Sequence, residues 1–294
     1  MLAKATAVGK CGELVWGELP DGTRFQVTCP VALSASVLVE VFASEGTRVT
    51  CHPQNQQVSK ALLSAAQMLE VTPTRILAEF SNKSPVSSDF GYQEAEIVAA
   101  GRALAAACEC QASEEDIAVM ARTVMRQPAL NAYKKPAAVD IDSGELIRDW
   151  DWRPSLAIAA VIPQAPITQK PYDSTARQKR SGEYAEIIAQ MDQAVTKRDT
   201  RAFVDAAAWS CQINQDLYPH PYFKKVSALA DKLDALGVCM AHHGSVIGIV
   251  FDAFDSGRAQ AGQAKMQLRR KFKKDETIIL ATPLPAKAVQ LLSQ

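Results

Sequence analysis

The stretch Gly237–Asp252, GVCMAHHGSVIGIVFD, constrains the fold more than any other part of the chain. Two short apolar runs flank a His-His-Gly-Ser bend, and the second run is rich in β-branched residues. A strand that stops at a small-residue loop and restarts calls for a sheet with a buried face. The bend admits two readings. It is a plain hairpin turn in a core sheet, or its small residues bring backbone N–H groups together to line an anion pocket or support a phosphate-binding loop from below. Lys10–Gly17 (KCGELVWG) and Lys83–Gly91 (KSPVSSDFG) favour the second.

A chain of 294 residues buries a large core as one big domain or two moderate ones. Its 32 basic and 32 acidic residues balance, so neither nucleic-acid binding nor a membrane-surface role is implied. The sequence lacks an apolar run long enough for a spanning helix and an apolar secretory core, which points to a cytoplasmic protein. Seven cysteines at irregular spacing read as free thiols, with no structural metal.

Strands are expected at Leu14–Leu19, Arg24–Cys29, Val37–Phe42 and Thr47–Cys51, with Asp21-Gly22 turning the first hairpin. Helical spacing follows at Val58–Glu70, in the alanine-rich Gln93–Ala107, and at Glu114–Arg126, where Ser113 and Asp116 have the placement of a capping box. A strand at Ala137–Ile141 ends in the turn Asp142-Ser143-Gly144. Leu156–Ile162 is apolar throughout and reads as a strand buried on both faces. The proline-rich Gln164–Thr175 is a loop or lid, three helices follow between Tyr184 and Leu236, and a polar helix at Gly262–Lys273 precedes a last strand at Thr277–Ala281. Strands first, then strands and helices without regular βαβ repeats, favour an α+β class. The softest point in the middle, near Trp150–Pro154, divides the chain into 1–150 and 151–294.

With these elements placed, the chain resembles the GHMP kinase superfamily, and within it the branch containing the L-threonine kinases of cobalamin biosynthesis and propanediol utilisation. Three segments carry the resemblance in family order: VGKCGELVWG at Val8–Gly17, KSPVSSDFG at Lys83–Gly91, and GVCMAHHGSVIGIVF at Gly237–Phe251. It implies a two-domain GHMP fold, with an N-terminal part like ribosomal protein S5 and a ferredoxin-like C-terminal part. It also implies a kinase acting on the hydroxyl of an amino acid, L-threonine first, with ATP and Mg²⁺ as cofactors and room for a homodimer. Lys83, Ser84, Ser87, Ser88 and Asp89 would then face the nucleotide, and Ser88 and Asp89 the metal. Lys10, Cys11, Gly12, Glu13, His242, Gly244 and Ser245 would lie towards the acceptor. The plainer readings stand beside these: a capping Ser87-Ser88 pair, an exposed edge-strand Glu13, a Cys11 that only packs, and a His242 that supports the loop.

The departures from the family pattern carry equal weight. Ser84 and Pro85 stand where the phosphate loop favours glycine and a backbone donor. Where the branch has an acidic Glu-Pro-Thr-Asp-Ser motif, this chain reads Gln127-Pro128-Ala129-Leu130-Asn131, which brings no charge to magnesium. In the resemblance, related homoserine kinases do without the aspartate and use an asparagine near this point, which implies that Asn131 orients an acceptor hydroxyl; an aspartate there would restore a proton acceptor. Asp140 and Asp142 are the nearest acids that could replace the lost carboxylates. A catalytically silent GHMP-fold protein that binds a ligand or partner remains the alternative.

Overall fold

The computed structural model describes every residue except 29, 72–73, 81–89, 126–128, 165–166, 168–173, 242–244, 255, 283–288 and 293–294. The expected phosphate loop up to Asp89, the His242–Gly244 bend and most of the Gln164–Thr175 segment therefore lie outside the described residues. The chain forms two compact units that interleave along the sequence. The first takes Met1–Gly9, Leu33–Lys134 and Pro283–Gln294, and the second takes Lys10–Ala32 and Lys135–Thr282.

The first unit is built on a five-stranded sheet in the order β13-β1-β4-β6-β5. Its strands are β1 (Leu2–Lys10), β4 (Pro30–Ala43), β5 (Arg48–His52), β6 (Thr74–Phe80) and β13 (Val289–Leu292). β1 alternates strictly, with Ala3, Ala5, Ala7 and Gly9 inside, so its buried face carries nothing larger than a methyl group. β5 runs parallel to β6, a pairing that needs a crossover, and α1 (Gln56–Met68) supplies it. The Asn55 side chain caps α1 by accepting from the N–H groups of Gln57 and Val58.

Two more helices, α2 (Tyr92–Ala107) and α3 (Glu114–Met125), pack with α1. α2 is buried on nearly every side, which explains its alanine content and its lack of a polar face. A Cβ at Gly101 would meet the Met120 methyl at 2.2 Å, so α2 and α3 touch closely there. Gly91 starts α2 with φ of 59°, a left-handed conformation that suits glycine.

The second unit holds two four-stranded sheets. One joins β2 (Val15–Glu18), β3 (Arg24–Thr28), β7 (Ala137–Asp140) and β8 (Leu146–Asp149) in that order, all antiparallel. The other runs β10-β11-β9-β12, from β9 (Leu156–Ile162), β10 (Gly237–Met240), β11 (Ile247–Asp252) and β12 (Glu276–Ala281). Helices α4 (Ser174–Gln178), α5 (Ser181–Lys197), α6 (Thr200–Leu217) and α7 (Phe223–Lys232) separate β9 from β10, and α8 (Gly257–Lys271) separates β11 from β12. Two strands joined by helices around a central hairpin, in this order, make a ferredoxin-like sheet. β9 is buried at all seven positions, as its sequence requires of a central strand. Ala157, Ala159 and Val161 share one core with Ile247, Ile249 and Phe251 of β11 and with Val226 and Leu268 on the helices. Among the described residues the cysteines are free thiols, and no helix is long and apolar enough to cross a membrane.

The capping box expected at α3 is present. Ser113 Oγ accepts from the Asp116 N–H at 3.0 Å, and the Asp116 carboxylate accepts from the Ser113 N–H and hydroxyl at 2.8 and 2.7 Å. These bonds, the hydroxyl first, hold the Asp116 pKa below its ordinary value. Ser113→Ala should cost about 1 kcal/mol in urea unfolding at neutral pH. Because the folded-state pKa is the lower one, the gap to wild type should narrow as pH falls through the ordinary aspartate range and below. A gap independent of pH would show that Asp116 takes no part in the cap.

Candidate functional site

In the first unit the geometry converges on Asn131. The residue lies in a short 3-10 turn, Leu130–Ala132, and is 3 % exposed. One face of α2 holds this turn. Asn131 donates its backbone N–H to Glu94 Oε1 at 3.1 Å and its Nδ2 to the Gly91 carbonyl at 2.9 Å. One further turn pair along, the buried Arg102 donates to the Ala132 carbonyl at 2.6 Å and to the Thr6 carbonyl at 3.2 Å. Residues 94 and 102 share a helix face at i and i+8, so one element fixes both flanks of the turn. Burial pushes the Arg102 pKa down, though not far enough to cost a guanidinium its charge.

Asn131 Oδ1 accepts no hydrogen bond among the described residues, although it is buried. Leaving a buried acceptor unmade costs about 1–3 kcal/mol, so its retention calls for an explanation. The amide is oriented by its donor end, which bonds to the Gly91 carbonyl at the start of α2. Gly91 is the last residue of the Lys83–Gly91 segment, so the two segments singled out separately in the sequence meet here. Lys83, Ser84, Ser87, Ser88 and Asp89 lie outside the described residues, as does Gln127. Leu130 is fully buried and serves as packing.

In the second unit the first and third motifs meet. Glu13 forms an antiparallel bridge with Met240, and Leu14 donates its N–H to the Val27 carbonyl. Gly12 makes the approach possible. Its φ is +62°, and a Cβ there would sit 2.6 Å from Ala241 N and 2.7 Å from the Met240 carbonyl carbon. The Gly12 carbonyl accepts from Thr28 Oγ1 at 3.2 Å. Glu13 is buried at 6 % exposure and pairs with Lys10 at 3.2 Å, which excludes the exposed edge-strand reading. Cys11 is buried beside them. Ser245 Oγ accepts from the Ile167 N–H at 2.9 Å, while His242 and Gly244 lie outside the described residues.

Two residues that sequence reasoning missed support this region. His220 Nδ1 accepts from the Tyr222 N–H, so the ring proton sits on Nε2 and is donated to the Ser245 carbonyl at 3.1 Å. Arg177, fully buried, lies 3.4 Å above the Trp16 ring and 4.8 Å from the Tyr218 ring. It donates to the Trp16 carbonyl, the Tyr184 hydroxyl and Asn214 Oδ1. Burial raises the Tyr184 pKa to about 12, so the phenol stays protonated. A cavity of about 10 Å³ between Trp16, Tyr218, His220 and Met240 holds no more than one water.

The acids that might have replaced the lost carboxylates are engaged elsewhere. Asp140 Oδ1 accepts from the Asp142 and Ser143 N–H groups, and Asp142 is paired with Arg24. The buried acid next to Asn131 is Glu94, whose place in the first turn of α2 is by itself only a favourable charge at a helix start. Among the described residues, no three His, Cys, Asp or Glu side chains cluster as metal ligands. Cys211 and Cys108 are poor nucleophiles at neutral pH: burial pushes Cys211 up, and burial followed by Cys110 pushes Cys108 to about 11. Gly12→Ala tests the close approach. It combines the left-handed backbone penalty with a clash against backbone atoms, so it should cost at least about 2 kcal/mol. Hydrogen exchange at the amides of Glu13 and Ala241 should rise with it. Unchanged exchange would show that the bridge does not depend on this glycine.

No family model matches the chain. An L-threonine kinase of Citrobacter freundii is 25% identical over 259 residues, covering 85% of this chain and 87% of the relative. The crystal structure of homoserine kinase from Cytophaga hutchinsonii superposes with a TM-score of 0.69 at 14% identity, covering 99% of this chain and 97% of that one. The MDDEF structure in complex with MVAPP, AMPPCP and magnesium gives a TM-score of 0.64 at 14% identity, covering 100% and 99%. With its ferredoxin-like sheet and motifs in family order, the protein has the fold of the GHMP kinase superfamily and resembles that superfamily along nearly its whole length.

Proposed function

We propose that the protein is an ATP- and Mg²⁺-dependent kinase that phosphorylates the hydroxyl of an amino acid, L-threonine being the first candidate. The observation that carries this reading is the buried, unpartnered Oδ1 of Asn131, held at the start of α2 by the Gly91 carbonyl and Glu94. An acceptor oxygen fixed in this way suits a hydroxyl group that must be aimed before transfer. The similarity to an L-threonine kinase supports the choice of acceptor.

The residues present fit the cofactors. α2 spans 16 residues, and its N-terminal end offers the partial positive charge and N–H groups that phosphate oxygens require. Glu94 and Asn131 Oδ1 are acceptors of the kind that suit a cation or a hydroxyl. When bound, Mg²⁺–ATP would supply the γ-phosphoryl group and neutralise its charge. The chain's task is then positioning. Asn131 orients the acceptor oxygen, Glu94 and Arg102 keep Asn131 from moving, and in the resemblance Ser87 and Ser88 hold the phosphates. In the resemblance, Lys10, Cys11, Gly12, Glu13, His242, Gly244 and Ser245 of the second unit are the residues assigned to the amino acid.

Asn131→Ala should lower kcat by about 10–100-fold and leave ATP affinity nearly unchanged. The geometry reverses the sequence-based expectation for Asn131→Asp. A carboxylate cannot donate to the Gly91 carbonyl and would stand beside Glu94, so this variant should lose activity and stability. A coupled ADP-release assay with L-threonine measures both. Absence of any threonine-dependent ADP release by the wild type, with no ATP binding in calorimetry, would favour the silent alternative instead.

A further inference from the structure

We propose that the second unit carries a docking groove for an acidic segment of a partner protein, set between the start of α7 and the end of α8. The groove measures about 780 Å³, and Ile167, Pro221 and Phe272 give it an apolar floor. Lys225, Lys271, Lys273 and Lys274 stand around that floor, all exposed. None of the four forms an ion pair among the described residues. The lone carboxylate lining the groove among the described residues, Asp275, is otherwise engaged: its two oxygens accept from the Tyr222 hydroxyl at 2.8 Å and the Gln164 N–H at 3.0 Å.

The charge is concentrated beyond what local stability asks for. Residues Gly257–Lys274 contain seven basic and no acidic side chains, in a chain whose 32 basic and 32 acidic residues cancel. Cations at the C-terminal end of α8 are ordinary, because they face the negative end of the helix. Lys224 and Lys225 are not. They occupy the first turn of α7, where the helix end is already positive and no acid accompanies them. A lysine there is unfavourable in the isolated protein and favourable only with an anion in the groove.

The chemistry favours spaced carboxylates over a compact phosphate. Among the described residues no arginine lines the groove to offer a bidentate fork, and the carbonyl end of α8 opposes a dense negative charge. Four flexible ammonium groups above an apolar floor suit an extended acidic peptide whose alternate apolar side chains cover Pro221 and Ile167. This inference is independent of the kinase reading.

Fluorescence anisotropy with a labelled peptide of alternating glutamate and leucine tests it, with a glutamine–leucine peptide of equal length as reference. The acidic peptide should bind the wild-type protein more tightly, and the difference should shrink as salt is raised. Substituting Lys225, Lys271, Lys273 and Lys274 together by Gln should weaken binding by about tenfold or more, whereas a Lys60→Gln, Lys179→Gln, Lys197→Gln control should not. Lys225→Gln alone should weaken the peptide while leaving the melting temperature equal or higher, which separates lost docking from lost folding. Equal binding of the two peptides, or unchanged binding by the groove variants, would overturn the proposal. Tighter binding of a DNA duplex through the same lysines would overturn it in favour of a nucleic-acid surface.

Discussion

The first unit depends on a single helix face acting as a clamp. Gly91, Glu94 and Arg102 of α2 hold both flanks of the Leu130–Ala132 turn through hydrogen bonds to backbone and amide groups. The clamp works because α2 is buried almost all round: its small alanines let other elements come close, and its few long side chains are thereby fixed. A turn held from three points cannot relax to satisfy Asn131 Oδ1, and the unpaired acceptor persists as a consequence of rigidity. Preorganisation of this kind costs stability in the isolated protein and is recovered only when a donor arrives.

The second unit uses a different device for a similar end. Close backbone approach at Gly12 sets Glu13 against Met240, and a hydrogen bond from His220 holds the Ser245 carbonyl just before β11. Behind this region Arg177 stacks on Trp16 and bonds to its carbonyl, so the strand after Glu13 is held by a buried cation rather than by apolar packing alone. Buried polar groups hydrogen-bonded in this way favour one arrangement, because a slip breaks several of these bonds at once.

Much of the fold was legible because periodicity reports burial. Leu156–Ile162 read as a doubly covered strand and is one, and the α3 capping box was visible from Ser113 and Asp116 alone. The strands β1, β6, β8 and β13 escaped notice for physical reasons. β1 buries alanines, which carry little strand signal, β8 is short and mostly exposed, and Gln290-Leu291-Leu292 has a composition that suits a helix equally well. The site was legible in part. Asn131 was singled out from the family resemblance, whereas the meeting of Gly12 and Glu13 with Met240 was not expected, although all three lie in motifs the sequence marked. The partners of these residues were not visible, since Glu94, Arg102, Arg177 and His220 act through contacts 25 to 161 positions away in sequence. No local pattern encodes such pairings.

The proposed chemistry rests on transfer of a phosphoryl group to a hydroxyl that Asn131 holds in place. Phosphorus-31 NMR of the protein with ATP, Mg²⁺ and L-threonine follows that transfer directly, because it distinguishes the product from free phosphate. The expected result is a new phosphomonoester resonance, split by the β-proton of threonine, growing in step with ADP. ATP left intact, or ADP and inorganic phosphate appearing while threonine stays unmodified, would contradict it.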